Sequence, residues 1–121
     1  MRMYIVALLG AIVVCGAHFY GMQGAYASIY GYDSLVHFLG GVAIGFCVVL
    51  CSRIFPRFTF TRKFWVVILG VIAIGVVWEV FEYIADIAVL PGQSYWPDTM
   101  TDIVLDIIGG AGAWLISRKN V

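Results

Sequence analysis

Hydrophobic positions along the chain form four long stretches, separated by short polar or turn-forming segments. The stretches extend from Met3 to Tyr20, from Asp33 to Ile54, from Phe64 to Leu90 and from Asp98 to Ser117. Each has roughly the length of about 20 residues that a helix needs to cross a bilayer at about 1.5 Å per residue. The pattern therefore predicts an all-α integral membrane protein with four transmembrane helices in a compact bundle.

The stretches are bounded by residues that interrupt or begin helices, namely Gly31-Tyr32-Asp33, Pro56-Arg57, Pro91-Gly92 and Pro97-Asp98. Because the segment 91–97 is short, the third and fourth helices are expected to be antiparallel neighbours. Composition agrees with a membrane protein. The 121 residues suffice for one domain and are 63% hydrophobic but only 12% charged, more apolar surface than a water-soluble domain of this size can cover.

The seven cationic residues all flank the same ends of the predicted helices: Arg2, Arg53, Arg57, Arg62, Lys63, Arg118 and Lys119. Segments 21–32 and 91–97 contain neither Lys nor Arg. The positive-inside rule therefore predicts a multi-pass protein of the cell membrane whose two termini and middle loop are cytoplasmic. The net charge is zero, so there is no electrostatic reason to expect nucleic acid as a partner.

The first stretch also resembles a cleavable signal peptide, since Arg2 precedes an apolar run and Ala25-Tyr26-Ala27 follows it. The distance between the apolar run and this Ala-x-Ala site is longer than usual for signal peptidase. The pattern favours a retained transmembrane helix and leaves cleavage as the alternative.

The seven acidic residues all fall at the outward end, or in the outward half, of a predicted helix. Asp33 and His37 are one turn apart at the start of the second helix. Glu79, Glu82 and Asp86 follow one face near the end of the third, and Asp98, Asp102 and Asp106 descend the start of the fourth. The helical rise places Asp106 about 12 Å below Asp98.

A carboxylate in the hydrocarbon region costs at least about 2.5 kcal/mol. No Lys or Arg is expected on the outward side to compensate for it. Shared protons, a bound cation or a water-filled cavity remain as compensation, and each of them makes the acidic cluster a functional site. Structural roles remain open for some members. Asp33 and Asp98 can cap helix N-termini, and Asp86 can be a solvated helix-end residue. His18, near the outward end of the first helix, either joins the site or is satisfied by water.

Small residues predict where the helices approach closely. Gly40-Gly41-x-x-x-Gly45 and Gly109-Gly110-x-Gly112 have the spacing of packed membrane helices. The cysteines, Cys15, Cys47 and Cys51, are interpreted as small hydrophobic core residues. The tyrosines and the tryptophan near the outward ends form a predicted aromatic belt: Tyr20, Tyr26, Tyr30, Tyr32, Tyr83, Tyr95 and Trp96.

The chain resembles the YjdF-like family of small bacterial membrane proteins of unknown function. The resemblance rests on Tyr32-Asp33-x-x-x-His37-Phe38, on Glu79-x-x-Glu82-Tyr83 and on Trp96-x-Asp98-Thr99-x-x-Asp102. VanZ-like proteins have a similar pattern, with an Asn where this chain has Asp106. Their association with glycopeptide resistance indicates a role at the cell envelope. The extra N-terminal spans of longer YjdF-like members are missing here.

Three hypotheses follow. In the first, the cluster binds a divalent metal ion, and one version of this hypothesis makes the protein a metal-dependent enzyme acting on an envelope lipid or a lipid-linked substrate. His37, Glu79, Glu82 and Asp102 are the expected ligands, with Asp33, Asp98 and Asp106 orienting or completing them. In the second, the cluster handles protons or cations in a small transporter or channel subunit. In the third, the chain is a structural subunit. The expected partners are membrane lipids and either a second copy of the chain or another membrane protein.

Overall fold

A computed structural model describes residues 2–87 and 94–120, and every regular element in these two segments is helical. The α-helices are α1 (Arg2–Tyr20), α2 (Tyr26–Ser28), α3 (Tyr32–Ile54), α4 (Phe64–Ala85) and α5 (Tyr95–Ser117). A π-helical segment, Gly21–Ala25, joins α1 to α2, and a 3₁₀ segment, Pro56–Arg62, lies between α3 and α4. Four apolar helices are long enough to cross a membrane. The predicted all-α fold with four spans is confirmed.

Several helix boundaries differ from those predicted. Helix α4 ends at Ala85, because Asp86 adopts a left-handed conformation (φ 53°) and its N–H bonds back to the carbonyl of Glu82. The predicted helix through Leu90 is therefore too long, because the helix has ended before Asp86. Residues 88–90 of that prediction, and the turn predicted at Pro91-Gly92, lie outside the described residues. The first candidate span reaches Ser28, beyond the predicted end at Tyr20, because α1 is followed by Gly21–Ala25 and α2 across a kink at Gly24 (φ 120°).

The proposed N-cap roles of Asp33 and Asp98 are wrong. The N-cap residues are Gly31 for α3 and Ser94 for α5, so both aspartates lie inside the first helical turns. Helix α5 begins before the expected position because Pro97 fits in the first turn, where its missing N–H would have had no partner within the helix. The two carboxylates are thus free to serve the interior of the bundle rather than the helix ends.

Helix α3 is the centre of the bundle and packs against α1, α4 and α5. It is antiparallel to α1: Tyr32 donates to the carbonyl of Ala17 at one end, and Met3 packs near Leu50 in the core at the other. We call the end where α3 and α5 begin and α4 finishes the acidic end. The opposite end, where α3 and α5 finish, is the basic end.

Helices α4 and α5 are also antiparallel neighbours, as the sequence predicted. At the acidic end the Tyr95 hydroxyl donates to the carbonyl of Glu79 over 2.8 Å. At the basic end the Trp114 indole donates to the carbonyl of Arg62 over 2.9 Å, and its ring meets that of Phe64 edge-on at 5.1 Å. Two hydrogen bonds at opposite ends therefore fix the relative register of these helices.

The hydrophobic core lies between the middle of the bundle and its basic end. Its members are aliphatic or aromatic side chains from all four spans: Met3, Ala7, Phe46, Val49, Leu50, Val67, Val71 and Ala113. The predicted core position of the cysteines is wrong for Cys15 and Cys47, which are exposed on helix faces that no described helix covers. In a membrane these faces contact lipid, which accepts a small apolar thiol as readily as the core does.

Glycines bring α3 and α5 into direct backbone contact. A Cβ on Gly41 would overlap the backbone carbonyl of Asp106, and a Cβ on Gly109 would overlap that of Phe38. Gly45 faces Gly110, whose Cα would lie 3.1 Å from the added atom. These close contacts were predicted, but Gly112 has no neighbour within 4 Å of such a Cβ, so its predicted packing role is wrong.

Candidate functional site

His37 lies at the centre of the acidic half of the bundle and is only 4% exposed. It projects from α3 toward α4 and α5, and four carboxylates from three helices surround its ring. Its Nε2 is 3.5 Å from Glu79 Oε1, 3.7 Å from Glu82 Oε2 and 3.9 Å from Asp33 Oδ1, and its Nδ1 is 3.2 Å from Asp106 Oδ2. The sequence therefore places one base among four acids in a region that the rest of the chain shields from its surroundings.

The two ring nitrogens of His37 have different environments. Nδ1 is within hydrogen-bonding distance of Asp106, whereas Nε2 is buried and has no hydrogen-bond partner. With the proton on Nδ1, donated to Asp106, the lone pair of Nε2 points toward Glu79 and Glu82. A histidine that binds a metal has this arrangement, because a carboxylate on the far nitrogen fixes the tautomer and the ring orientation.

The spacing around Nε2 is too wide for good hydrogen bonds, which need about 2.7–3.2 Å. Two ligand atoms of one metal ion, each about 2.0–2.3 Å from it, are separated by about 3–4.6 Å. The distances of 3.5 and 3.7 Å from His37 to the two glutamates fall in this second range. Glu79 Oε1, like His37 Nε2, is buried without a hydrogen-bond partner. A positive group between the two atoms would satisfy both of them.

A second set of possible ligands overlaps the first at His37. Asp33, His37 and Asp102 each offer an atom within 4.8 Å of the others, as do His37, Glu79 and Glu82. Asp102 is 2% exposed and accepts a hydrogen bond of 3.2 Å from Ser34. The imidazole therefore joins the carboxylates of α4 to those of α3 and α5.

Three polar side chains that the sequence interpretation missed orient the two glutamates. The Thr99 hydroxyl donates to Glu79 Oε2 over 2.6 Å, and the Trp78 indole donates to Glu82 Oε1 over 2.8 Å. Tyr95 donates to the backbone of Glu79. The sequence did offer a signal for the role of Thr99, because this residue lies inside the Trp-x-Asp-Thr segment, one turn before the buried aspartates. Each glutamate thus uses one oxygen for a neutral donor and turns the other toward His37.

His18 lies beside the cluster rather than in it. Its Nδ1 is 2.7 Å from the Tyr26 hydroxyl, and its ring meets that of Trp78 edge-on at 4.8 Å. Trp78 in turn donates a hydrogen bond to Glu82, so α1 supports the site indirectly, through Trp78. Tyr26, expected in an aromatic belt, is instead buried at 8% exposure, whereas Tyr30 at 96% fits the belt.

Gly75 on α4 is a further residue that the sequence interpretation did not single out. A Cβ at this position would lie 2.6 Å from Asp106 Oδ2, the atom that faces His37. Because Gly41 and Gly75 have no side chain, they leave the space between the helices that Asp106 occupies.

A cavity of about 490 Å³ opens at the acidic end, between the segment that precedes α3 and the start of α5. It is lined by Tyr26, Ile29, Tyr30, Gly31, Tyr32, Asp33, Ser34, Ser94, Pro97, Asp98 and Thr101. Asp33 belongs both to this wall and to the group around His37, so the cavity reaches the buried cluster. None of the described residues that line it carries a positive charge.

The structure gathers six of the seven acidic or histidine residues predicted as ligands around one point: Asp33, His37, Glu79, Glu82, Asp102 and Asp106. The seventh, Asp98, lies on the wall of the cavity at the acidic end. Asp86 is exposed beyond the end of α4 and does not share the face of Glu79 and Glu82, because the helix has already ended there. Its interpretation as a helix-end residue agrees with this position.

Comparison with known protein families gives a match over almost the whole chain. A family described as "Predicted membrane protein (DUF2238)" matches residues 1–119. Comparison with curated proteins and with solved structures gives no match. The YjdF-like family is DUF2238, so that resemblance is confirmed, whereas the similarity to VanZ-like proteins remains a prediction. Four membrane spans and a match over nearly the whole length agree: the chain belongs to the DUF2238 family of predicted membrane proteins.

Proposed function

We propose that the protein binds a divalent metal ion between His37, Glu79 and Glu82, with Asp33 and Asp102 completing the site from the side of the cavity. The observation that supports this most directly is the pair of buried atoms without hydrogen-bond partners, His37 Nε2 and Glu79 Oε1, which face each other at 3.5 Å. Leaving both unsatisfied costs about 1–3 kcal/mol each. A cation between them removes both penalties at once.

The donor set favours a borderline or hard divalent ion. One imidazole nitrogen with several carboxylate oxygens suits Zn²⁺, Mn²⁺ and Fe²⁺, and the surplus of carboxylates also admits Mg²⁺ and Ca²⁺. The three cysteines lie outside this cluster, so a thiolate-based site for a soft metal is not supported. Asp106 would hold the ring of His37 in place from its far nitrogen rather than bind the ion itself.

A site open to one side agrees with the packing better than a transport pathway does. The cavity leads from the acidic end to Asp33, but the core between the cluster and the basic end consists of apolar side chains. Val67, Val71 and Ala113 in this core are 0% exposed. Along the described residues, an ion or proton that reached His37 would meet no polar group continuing through this core.

The residues around the site can prepare a reaction at its outward mouth. A divalent ion, when bound, supplies a Lewis acid that polarises a carbonyl or phosphoryl oxygen or activates water. Glu79 and Glu82 are fixed by Thr99 and Trp78, and their inward oxygens stay in place while a ligand enters. Asp98 on the cavity wall can accept a proton from such a ligand. We propose that this ligand is an envelope lipid or a lipid-linked molecule, since the cavity opens between membrane-spanning helices.

The metal content of the purified chain tests the proposal. We expect a stoichiometric divalent metal in the wild type by elemental analysis in a mild detergent, after growth with metal supplements. Glu82→Gln and Asp102→Asn should each lower this content by at least about tenfold, because each replaces a charged ligand with a neutral amide of equal size. Asp86→Asn is the matched control, since the same change at an exposed position outside the cluster should leave the content unchanged.

Two results would contradict the metal proposal. One is a wild-type chain that contains and binds no divalent metal although it is helical and monodisperse. The other is equal metal content in Glu82→Gln, Asp102→Asn and Asp86→Asn. In either case, measurement of pH-driven proton or cation flux in liposomes separates a transport role from a structural one.

A second prediction concerns the hydrogen bond that orients Glu79. Thr99→Val keeps the shape of the side chain but removes the 2.6 Å hydrogen bond to Oε2. Because donors of this kind fix the direction of a ligand, we expect metal affinity to fall by about tenfold with no loss of stoichiometry. Titration of the apo protein with Mn²⁺ or Zn²⁺ by calorimetry measures this. The same change at Thr101, whose hydroxyl donates to the Pro97 carbonyl rather than to a carboxylate among the described residues, should have no effect.

A further inference from the structure

A second, smaller cavity of about 180 Å³ lies at the basic end, far from the acidic cluster. It is lined by Val49 of α3, Arg62 of the 3₁₀ segment, and Trp114, Ser117 and Arg118 at the end of α5. Two of the five described residues that line it are therefore arginines, contributed by separate parts of the chain. Its floor is formed by Val49 and Ser117, which are each 1% exposed.

Both arginines are held by specific contacts. Arg62 donates from Nε to the hydroxyl of the buried Ser52 over 2.8 Å, and its backbone carbonyl accepts the Trp114 indole N–H. The guanidinium of Arg118 lies 5.2 Å from the centre of the Trp114 ring, a distance at which a cation interacts with an aromatic face. Trp114 thus positions both groups at the rim of one cavity.

No carboxylate side chain is near enough to neutralise this pair. The seven acidic residues of the chain are all in the acidic half of the bundle, and none of them lines the cavity. Two guanidinium groups beside one cavity favour an anion with several oxygens, because each presents a planar fork of donors that matches phosphate. The site therefore has the charge and the geometry for a phosphate group.

The surroundings indicate where that phosphate comes from. The cavity lies at the ends of membrane-spanning helices, beside a group of aromatic rings in which Trp65 is 72% exposed, as interfacial tryptophans are. Ile54 and Leu115, near the ends of α3 and α5, are 49% and 46% exposed and offer apolar surface to acyl chains. We propose that this cavity binds the phosphate group of an anionic phospholipid at the basic end of the bundle.

Native mass spectrometry of the full chain in a neutral detergent tests the proposal. The protein is titrated with phosphatidylglycerol, with phosphatidylcholine and with inorganic phosphate. We expect one tightly bound phosphatidylglycerol, weaker phosphatidylcholine and no binding of inorganic phosphate at the same concentrations. Arg118→Gln breaks no described hydrogen bond and should lower phosphatidylglycerol affinity by at least about tenfold. Arg62→Gln combined with it should abolish specific binding.

Arg57→Gln and Lys119→Gln are the matched controls, since each removes a positive charge at the basic end from a residue that does not line the cavity. Both should stay within about threefold of the wild type, as expected for exposed charges. Equal losses of phosphatidylglycerol affinity in Arg118→Gln and Lys119→Gln would mean that the lipid is attracted to positive charge in general. This result would overturn the proposal. Binding of inorganic phosphate that depends on Arg62 and Arg118 would overturn the lipid as its source.

Discussion

His37→Gln is expected to abolish metal binding while leaving the bundle folded. The substitution removes the only nitrogen ligand and leaves the carboxylates of Glu79 and Glu82 facing a neutral amide. Since loss of an orienting neighbour alone typically lowers metal affinity 10- to about 100-fold, loss of the ligand itself should exceed about 100-fold. Calorimetric titration of detergent-solubilised protein with Zn²⁺ or Mn²⁺ measures the change, and circular dichroism verifies the helix content.

The chain provides its own control for this experiment, because it has only two histidines. His18→Gln alters a ring that bonds to Tyr26 and contacts Trp78 but faces none of the carboxylates, so metal affinity should stay near that of the wild type. Asp106→Asn should fall between the two, since its remaining oxygen can still accept the proton of His37 Nδ1. Equal metal affinity in His37→Gln and the wild type would show that His37 is not a ligand and would contradict the proposed ligand set.

Gly41→Ala is expected to destabilise the bundle more than any other single methyl group added to it. The new Cβ would overlap the backbone carbonyl of Asp106, and neither backbone can move aside as the tip of a side chain can. Overpacking of this kind costs about 1–3 kcal/mol and more where the backbone must shift. We expect the helices α3 and α5 to separate, with a clear drop in the thermal unfolding midpoint and loss of metal binding.

Gly112→Ala is the matched control for this prediction, because it adds the same methyl group to α5 at a position with no neighbour within 4 Å. In a helix interior the change from Gly to Ala stabilises by about 1 kcal/mol, so this variant should melt at or above the wild-type temperature. Thermal scans of both variants, followed by circular dichroism and size-exclusion chromatography, give the comparison. Similar melting of Gly41→Ala and Gly112→Ala would contradict the close approach of α3 and α5.

The two proposed sites lie at opposite ends of the same bundle and depend on different charges. The cations gather at the basic end, where Arg62 and Arg118 share a cavity, and the acids gather around His37 in the other half. This separation makes the experiments independent. Substitutions of arginine should leave metal binding intact, and substitutions of glutamate should leave the retention of phospholipid intact.

Much of the fold follows from the sequence because lipid imposes a simple rule. A backbone in hydrocarbon must satisfy its own hydrogen bonds, so a run of about 20 apolar residues becomes a helix whatever its neighbours are. Four spans were predicted on this ground and are present, with α3 and α4 beginning within one residue of their expected positions. Burial of polar groups follows the same rule. The cost of a carboxylate in lipid predicted that the deep acids must be compensated, and Glu79, Glu82, Asp102 and Asp106 are each at most 5% exposed.

Only the tertiary structure decided how these groups meet. Helical periodicity assigns a residue to a face but not the rotation of one helix against another, which depends on close contacts such as Gly41 against Asp106 and Gly75 against the same side chain. The assignment of His37 Nδ1 to Asp106 and of Nε2 to the glutamates arises from this packing. So do the supporting roles of Thr99 and Trp78: Thr99 lies in a recognisable sequence segment, but only the packing shows that its hydroxyl reaches Glu79 and that the Trp78 indole reaches Glu82. The sequence by itself determined the helices, their number and which side chains avoid lipid, because these depend on the transfer of single residues. The arrangement of those side chains into a site depends on contacts between residues far apart in the sequence, and the one-dimensional pattern does not contain these contacts.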